Sequence, residues 1–564
     1  MLDRLPAMGC MRLSTEAQRD EDRAIATLHT ALDAGVRLLD TADAYCRDAS
    51  DVGHNERLIA RALAAWNGDA SSVRVATKGG LVRPGGRWES DGRARHLRAA
   101  CEASLRALGV PRIFLYQLHA PDPAVPLATS VRALAALRRD GLVEHVGLCN
   151  VTVAQLREAR DLVDVASVQI ELGPFHDAGF RSGVAEHCAE HGIRLLAYRP
   201  LGGAAKAARL ARDPAIMAIA QRHGASGAEI VLAWLASLGV APLPGPTRPE
   251  HARSLGTAVV LTDDDRDALD ARFPAARILR VPRATRRPPD GAAGDVVLVM
   301  GLPAAGKSTL ARDLLARGYL RLNRDEAGGS LADLVPALDA HLAAGRRRIV
   351  LDNTYGARAA RSAVVEAAWA RGVPVRCVYL RTSLEDAQVN ACARMVERYG
   401  RLLEPDEMKA AARKDPSVLA PHALFRHRRE LEEPDPSEGF ARTEDVPFVR
   451  RPPEGEGARA VVVRLDGAAP EAIRRLAARR ADGILLLGVA WGPPAEADVD
   501  DLVRCAHAQD GPPVCWCRRP LPGLGVLLAA RHRLDLARCT YVGRDAADSA
   551  WARVLGLAFE DAGA

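Results

Sequence analysis

SVRVATK (residues 72–78) and IFLYQLH (113–119) each run through a short apolar stretch and stop on a polar residue, Lys78 and His119. HVGLCN (145–150), ASVQIEL (166–172) and RLLAYRP (194–200) repeat the plan, and a segment of helical periodicity follows each. Short apolar strands that alternate with helices mark βαβ units, whose parallel strands are covered on both faces. About eight such units over roughly 250 residues suit a (β/α)8 barrel, in which the C-terminal strand ends carry the chemistry. Lys78 and His119 stand at such ends, as do Asp40 and Tyr45 of LLDTADAY (38–45).

With 564 residues the chain exceeds what one core can serve, so about three α/β domains are expected. Stretches rich in Pro, Gly and charge divide it into a barrel (1–273), a linker (274–292), a second α/β domain (293–450), a linker (451–459) and a small Rossmann-like α/β domain (460–564). No apolar run has the roughly 18–20 residues of a membrane span. The opening MLDRLPAMGCMRLS lacks a cationic stretch followed by an apolar one, so a secretory signal is not expected. The 11 cysteines are mostly scattered, which reads as reduced thiols in a cytoplasmic protein. A net charge of +6 over this length fits an arginine-rich solvated surface as readily as an anionic partner. At 4% aromatic content, few side chains are left for base stacking.

DTADAY (40–45), VGHNERLIARAL (52–63), ATKGG (76–80), LYQLHAPDP (115–123), VGLCN (146–150), VQIELGPF (168–175), AYRPLGG (197–203) and PLPGPTRPEH (242–251) together resemble the aldo-keto reductase family, in order and over nearly the whole first block. The resemblance implies a catalytic tetrad of Asp40, Tyr45, Lys78 and His119 that reduces a carbonyl substrate with NADPH. The chemistry explains these residue types: a phenol is a poor acid at neutral pH, a neighbouring ammonium stabilises its phenolate, a carboxylate positions the ammonium, and an imidazole orients the carbonyl. The resemblance also places Asn150 and Gln169 on the nicotinamide carboxamide, Tyr198 against its ring and Arg248 on the 2′-phosphate. Cys149 replaces the family's serine, and Ser254-Leu255 replaces its Glu-Asn pair at the adenine.

In the second block a strand, DVVLVM (295–300), leads into GLPAAGKST (301–309), the G-x-x-x-x-G-K-[ST] loop in its required setting. Gly301, Gly306 and the backbone around them cradle phosphate, Lys307 neutralises the β/γ charge, Ser308 ligates Mg²⁺ and Thr309 continues the helix start. Asp325 of LNRDEAGG (322–329) suits a base for an attacking hydroxyl, or alternatively a helix N-cap. With IVLDNTYG (349–356) and EDAQVNACARMVER (385–398), this block resembles the kinase domain of polynucleotide 5′-kinases. That likeness makes Asp325 the general base and Arg394 a phosphate grip, with ATP as donor and 5′-OH ends of RNA or DNA as acceptors.

VVVRLDG (461–467), ILLLG (484–488), CRRPLPG (517–523) and YVGRDAADSAWARVLG (541–556) resemble a haloacid-dehalogenase-type phosphatase. That family opens on two Asp flanking one residue; here the pair reads Arg464 and Asp466, and the later metal position reads Gly543-Arg544. Arginine forms no aspartyl-phosphate, so a phosphatase-inactive domain is expected. Cys505, His507, Cys515 and Cys517 form C-x-H-x7-C-x-C, a tetrahedral donor set for a structural zinc.

The leading reading is a multifunctional enzyme, a carbonyl reductase joined to a polynucleotide kinase-like domain, acting in nucleic-acid end repair. Two alternatives stay open: both activities on a small metabolite, or an NADPH- and ATP-binding sensor or scaffold. The oligomeric state is also open.

Overall fold

The computed structural model describes residues 6–256, 259–280, 288–290, 294–450, 457–467, 470–477, 483–507 and 513–562. They fall into two compact units, one within 1–287 and one within 288–564.

The first unit is built on eight parallel strands, β1 (Ala7–Gly9), β2 (Leu38–Asp40), β3 (Arg74–Gly79), β4 (Ile113–Leu118), β5 (Val143–Cys149), β6 (Val165–Glu171), β7 (Arg194–Tyr198) and β8 (Val240–Leu243), hydrogen-bonded in sequence order. Gly9 N–H donates to Pro244 O at 2.9 Å and brings β1 back beside the end of β8. Leu38, Ala76, Leu115 and Leu196 fill the inside, while the outer faces bury Tyr116, Val146, Val168 and Leu195 under the helices. Capping boxes start the helices Val153–Arg160 at Thr152 and Gly227–Ser237 at Ser226.

The barrel unit runs past residue 273. Pro274–Leu279 forms a 3₁₀ turn that buries Ala275, Ala276 and Ile278 in the barrel's apolar layer. Arg280 then pairs with Asp270, whose other oxygen accepts from buried Trp234 at 2.8 Å. The linker expected from 274 therefore begins later, because AARIL supplies apolar groups that the helix layer takes up. Residues 281–287, 291 and 292 of that expected linker lie outside the described residues.

The second unit contains two five-stranded parallel sheets. In the first, β9 (Val296–Met300), β10 (Leu320–Leu322), β11 (Ile349–Asp352), β12 (Val375–Arg381) and β13 (Arg442–Pro447) take the order β10-β11-β9-β12-β13. In the second, β14 (Ala460–Arg464), β15 (Leu485–Ala490), β16 (Asp501–Arg504), β17 (Thr540–Gly543) and β18 (Ala558–Asp561) take the order β16-β15-β14-β17-β18. Each order reverses beside its own sheet's first strand, β9 or β14, and such reversals open a crevice at the carboxyl ends of the strands.

The two sheets share one apolar core. Leu380, Met395, Leu403 and Leu424 join Trp491, Trp516, Leu524 and Trp551 in it. Polar ties reinforce the join: Trp516 Nε1 donates to Leu419 O at 2.7 Å, and Arg450 pairs with Asp386 at 2.6 Å while donating to Leu555 O at 2.8 Å. Residues 451–456 of the second expected linker lie outside the described residues; Ala458 already pairs with Leu534.

Arg361, on the helix Arg358–Ala370, is fully buried and meets the equally buried Glu438 at 2.7 Å. It also donates to the carbonyls of Tyr355 and Glu432, pinning the segment before β13 onto the first sheet. Removing one partner of a buried pair leaves the other charge uncompensated. Glu438→Gln is expected to destabilise the second unit by about 3–5 kcal/mol in urea unfolding; an unchanged midpoint would contradict the pairing.

Candidate functional site

At the carboxyl end of the barrel, β2 ends on Asp40, β3 carries Lys78 and β4 leads into His119. Lys78 Nζ donates to Asp40 Oδ2 at 2.7 Å, Thr41 O at 2.9 Å and Tyr45 Oη at 3.0 Å. Those three acceptors satisfy the three donors of an ammonium. Because Tyr45 Oη accepts from Lys78, its own proton is left to donate elsewhere. Asp40 Oδ1 also accepts from Gln169 Nε2 at 2.8 Å and more weakly from Gln117 Nε2 at 3.4 Å. Asp40, Tyr45, Lys78 and His119 are all buried.

Burial opposes the Lys78 charge, but Asp40 and Tyr45 outweigh it and hold the ammonium above its usual range. Burial lifts the Tyr45 phenol, with Lys78 acting against that rise. Burial and the Lys78 charge push His119 well below its ordinary value, so the imidazole is neutral. The His119 ring lies edge-on to Tyr45, centroids 5.5 Å apart, and its Nδ1 is buried with no partner among the described residues.

Of the expected cofactor residues, Asn150 and Tyr198 come together. Tyr198 Oη donates to Asn150 Oδ1 at 3.0 Å, and Asn150 Nδ2 donates to His119 O at 3.1 Å. Asn150 holds a left-handed φ of 57°, which Asn tolerates better than most residues. The Gln169 side chain is engaged with Asp40, while its carbonyl accepts from Asn150 N–H at 2.9 Å. Arg248 precedes the short helix Pro249–Ala252 and is exposed, 3.9 Å from Glu250. Ser254 and Leu255 lie in the following 3₁₀ turn. The sequence reading missed Trp88 and Arg83, which border the tetrad from the small hairpin Leu81–Val82/Glu89–Ser90.

In the second unit β9 runs into the glycine loop, where Gly301, Ala304 and Gly306 have φ of 146°, 61° and 94°. The helix Lys307–Ala316 follows, with Ser308 and Thr309 in its first turn. Lys307 Nζ donates to Gly301 O at 3.1 Å and Leu302 O at 2.6 Å. Burial, then the Arg394 charge, brings Lys307 down to about 7; burial also lowers Arg394.

Asp325 sits at the mouth, half exposed and paired with Arg324 at 2.8 Å, rather than acting as a cap. The cap there is Asn323, whose side chain accepts from Asp325 N–H. The sequence reading gave no separate role to Asp352, at the end of β11. It is buried and held bidentately by Arg321 at 2.8 and 2.6 Å. The same guanidinium donates to Ser308 Oγ at 3.2 Å.

In the last sheet the crevice at the strand-order reversal is filled with internal ion pairs. Arg464 meets Asp466 at 2.8 Å, Asp545 at 2.7 Å and Asp548 at 3.1 Å, while Arg519 meets Asp548 at 2.7 Å. Arg544 donates to the carbonyls of Asp466 and Gly467. Nearby, donor atoms of Cys505, His507, Cys515 and Cys517 all lie within 4.8 Å of one another. His507 turns Nδ1 to the cysteines and donates from Nε2 to Glu404 Oε2 at 2.5 Å.

Residues 7–272 match the aldo/keto reductase family, and residues 296–414 match an AAA domain. An uncharacterized oxidoreductase of Schizosaccharomyces pombe, C215.11c, is 33% identical over 251 residues, spanning 43% of this chain and 77% of that protein. The chain belongs to the aldo/keto reductase family. Among solved structures it is similar to the thermostable aldo-keto reductase Tm1743 bound to the inhibitor epalrestat, at 26% identity, 48% of this chain, 95% of that one and a TM-score of 0.41. It is also similar to the glycerol dehydrogenase AKR11B4 of Gluconobacter oxydans, at 26% identity, 49% of this chain, 92% of that one and a TM-score of 0.40. The barrel is thus an aldo-keto reductase domain, and a P-loop, kinase-like domain follows it.

In this reductase domain the Tyr45 phenol, with its pKa raised, stays protonated through the neutral range, while His119, with its pKa lowered, stays neutral. An acid is fully protonated below its pKa, so carbonyl reduction is expected to be nearly flat from about pH 6.5 to about 9. A sigmoidal fall in kcat centred near pH 7 would contradict these protonation states.

Proposed function

We propose that the barrel reduces a carbonyl compound with NADPH and that the P-loop domain transfers the γ-phosphate of ATP to a hydroxyl, the 5′-OH of a polynucleotide. The observation that carries the reductase reading is the buried Lys78 ammonium bonded at once to Asp40 and Tyr45. NADPH, when bound, supplies the hydride. The residues present fit this cofactor: the Asn150 amide is held beside His119 with one Nδ2 hydrogen and one Oδ1 lone pair left over, Tyr198 stands next to it, and Arg248 is an exposed cation for the 2′-phosphate. Tyr45 donates a proton to the carbonyl oxygen, Lys78 stabilises the phenolate left behind, Asp40 fixes Lys78, and neutral His119 orients the oxygen.

For the kinase reading, cations gather at the glycine loop. His427 is held below its ordinary value by burial and by the charges of Arg426, Lys307 and Arg324, and Arg394 lies near Lys307. That field suits a polyphosphate and a second phosphorylated chain. Ser308 and Asp352, bridged by the Arg321 guanidinium, would hold Mg²⁺ in its stead, and Asp325 would take the proton of the attacking hydroxyl. Three thiols and one imidazole, the imidazole backed by a carboxylate, suit structural zinc. The last sheet resembles a phosphatase whose nucleophile position is Arg464, so it hydrolyses no phosphoester. Lack of nucleic-acid specificity would favour the alternative in which reductase and kinase share a small metabolite.

Labelled γ-phosphate is expected to pass from ATP to 5′-OH oligonucleotides, with loss of about a hundredfold or more in Lys307→Ala. ATP use with small hydroxyl compounds only would transfer the reading to a metabolite kinase. The purified chain is expected to carry about one zinc, lost in Cys515→Ser together with a lowered unfolding midpoint of the second unit; a metal-free wild type of equal stability would remove zinc from the account.

A further inference from the structure

The hairpin Leu81–Val82/Glu89–Ser90 carries a buried cation next to the reductase tetrad. Arg83 is 7% exposed, and its guanidinium carbon lies 3.8 Å from the centroid of Trp88. The Trp88 ring in turn lies 6.5 Å from that of Tyr45 and 6.2 Å from that of His119, edge-on to both. Arg83 therefore stacks on the ring that borders the proton donor and the carbonyl-orienting imidazole.

Only Nη2 of Arg83 is bonded, to Arg47 O at 3.0 Å; Nε and Nη1 are buried with no partner among the described residues. Four carboxylates of the flanking segments are engaged elsewhere. Glu89 is taken by Arg87 at 3.0 Å, Asp91 by Arg93 at 2.5 Å, and Asp51 by Arg19. Asp48 accepts from Ser50. A desolvated guanidinium without a counter-ion costs several kcal/mol. Stacking on Trp88 offsets only part of that.

We propose that Arg83 is the anion-recognition residue of the reductase site, so that its substrates are carbonyl compounds bearing a carboxylate or phosphate a few atoms from the carbonyl. This rests on the reductase reading above. Nε and Nη1 lie on different edges of the guanidinium, and each keeps N–H groups free to donate to an anionic oxygen. With the carbonyl oxygen at Tyr45 and His119, Trp88 walls the space between the reacting end and the anionic end. The acidic group supplies the missing counter-charge, and a neutral analogue leaves the guanidinium buried and unpaired, which is how a polar site rejects a substrate.

The test is steady-state reduction of 4-carboxybenzaldehyde against its methyl ester, and of glyceraldehyde 3-phosphate against glyceraldehyde, by the full chain with NADPH. In the wild type, kcat/KM is expected to favour an anionic member by about tenfold or more, chiefly through KM. In Arg83→Met, which keeps a side chain against Trp88, the ratio is expected to fall to about one, with partial recovery in Arg83→Lys. The pair with the larger ratio assigns carboxylate or phosphate. Equal use of both members by the wild type overturns the proposal alone. A ratio unchanged in Arg83→Met, with both rates lowered together, shows a packing role and also overturns it. No turnover of any of the four compounds overturns the reductase reading and this proposal with it.

Discussion

One carboxylate organises the reductive end of the barrel. Asp40 binds Lys78 from β3 and accepts from Gln169 of β6 and Gln117 of β4, so a single acidic side chain on β2 gathers three other strands. The ammonium it holds is fully buried, and a charge in that position persists only when its donors are met. Thr41 O and Tyr45 Oη complete the set. The phenol is thereby fixed next to a cation in a dry environment, where electrostatic stabilisation of a developing phenolate is strongest. The rest of the site, His119, Asn150 and Tyr198, is hung on adjacent strand ends.

The second unit follows a related logic around its glycine loop. Its glycine loop leaves the central strand where the order β10-β11-β9-β12-β13 reverses, and the helix behind it points its N-terminus at the loop. The neighbouring sheet reverses in the same way, yet its crevice is occupied by Arg464, Arg519 and Arg544 paired with Asp466, Asp545 and Asp548 or their backbone. Its large aromatic residues, Trp491, Trp516 and Trp551, pack into a core shared with the kinase-like sheet. The last sheet is thus an integral part of the unit that carries the P-loop.

The parallel barrel was legible because its strands are apolar on both faces and end on chemistry-bearing residues. LLDTADAY, SVRVATK and IFLYQLH locate Asp40, Tyr45, Lys78 and His119 with no knowledge of packing. The cysteine and histidine spacing of 505–517 was legible for the same reason, since those donors are close in sequence. Other features depend on partners far along the chain. The Arg361–Glu438 pair joins residues 77 apart, and Asp352 acquires its place only when Arg321 reaches it across the sheet. The Arg83–Trp88 stack sits on a hairpin of two-residue strands, too short to leave a periodic signal. The stretch from 274 read as linker from its Pro and Arg content, whereas its Ala and Ile residues decide where it packs.

In the proposed mechanism the buried Lys78 ammonium serves proton donation by Tyr45. The most direct measurement is NADPH oxidation in the presence of an aldehyde by wild type and Lys78→Met, with NADPH binding followed separately by its fluorescence. In the variant kcat is expected to be lower by about two to four orders of magnitude, with NADPH still bound to within about a few-fold. Turnover by Lys78→Met within about tenfold of wild type, at intact NADPH binding, would contradict it.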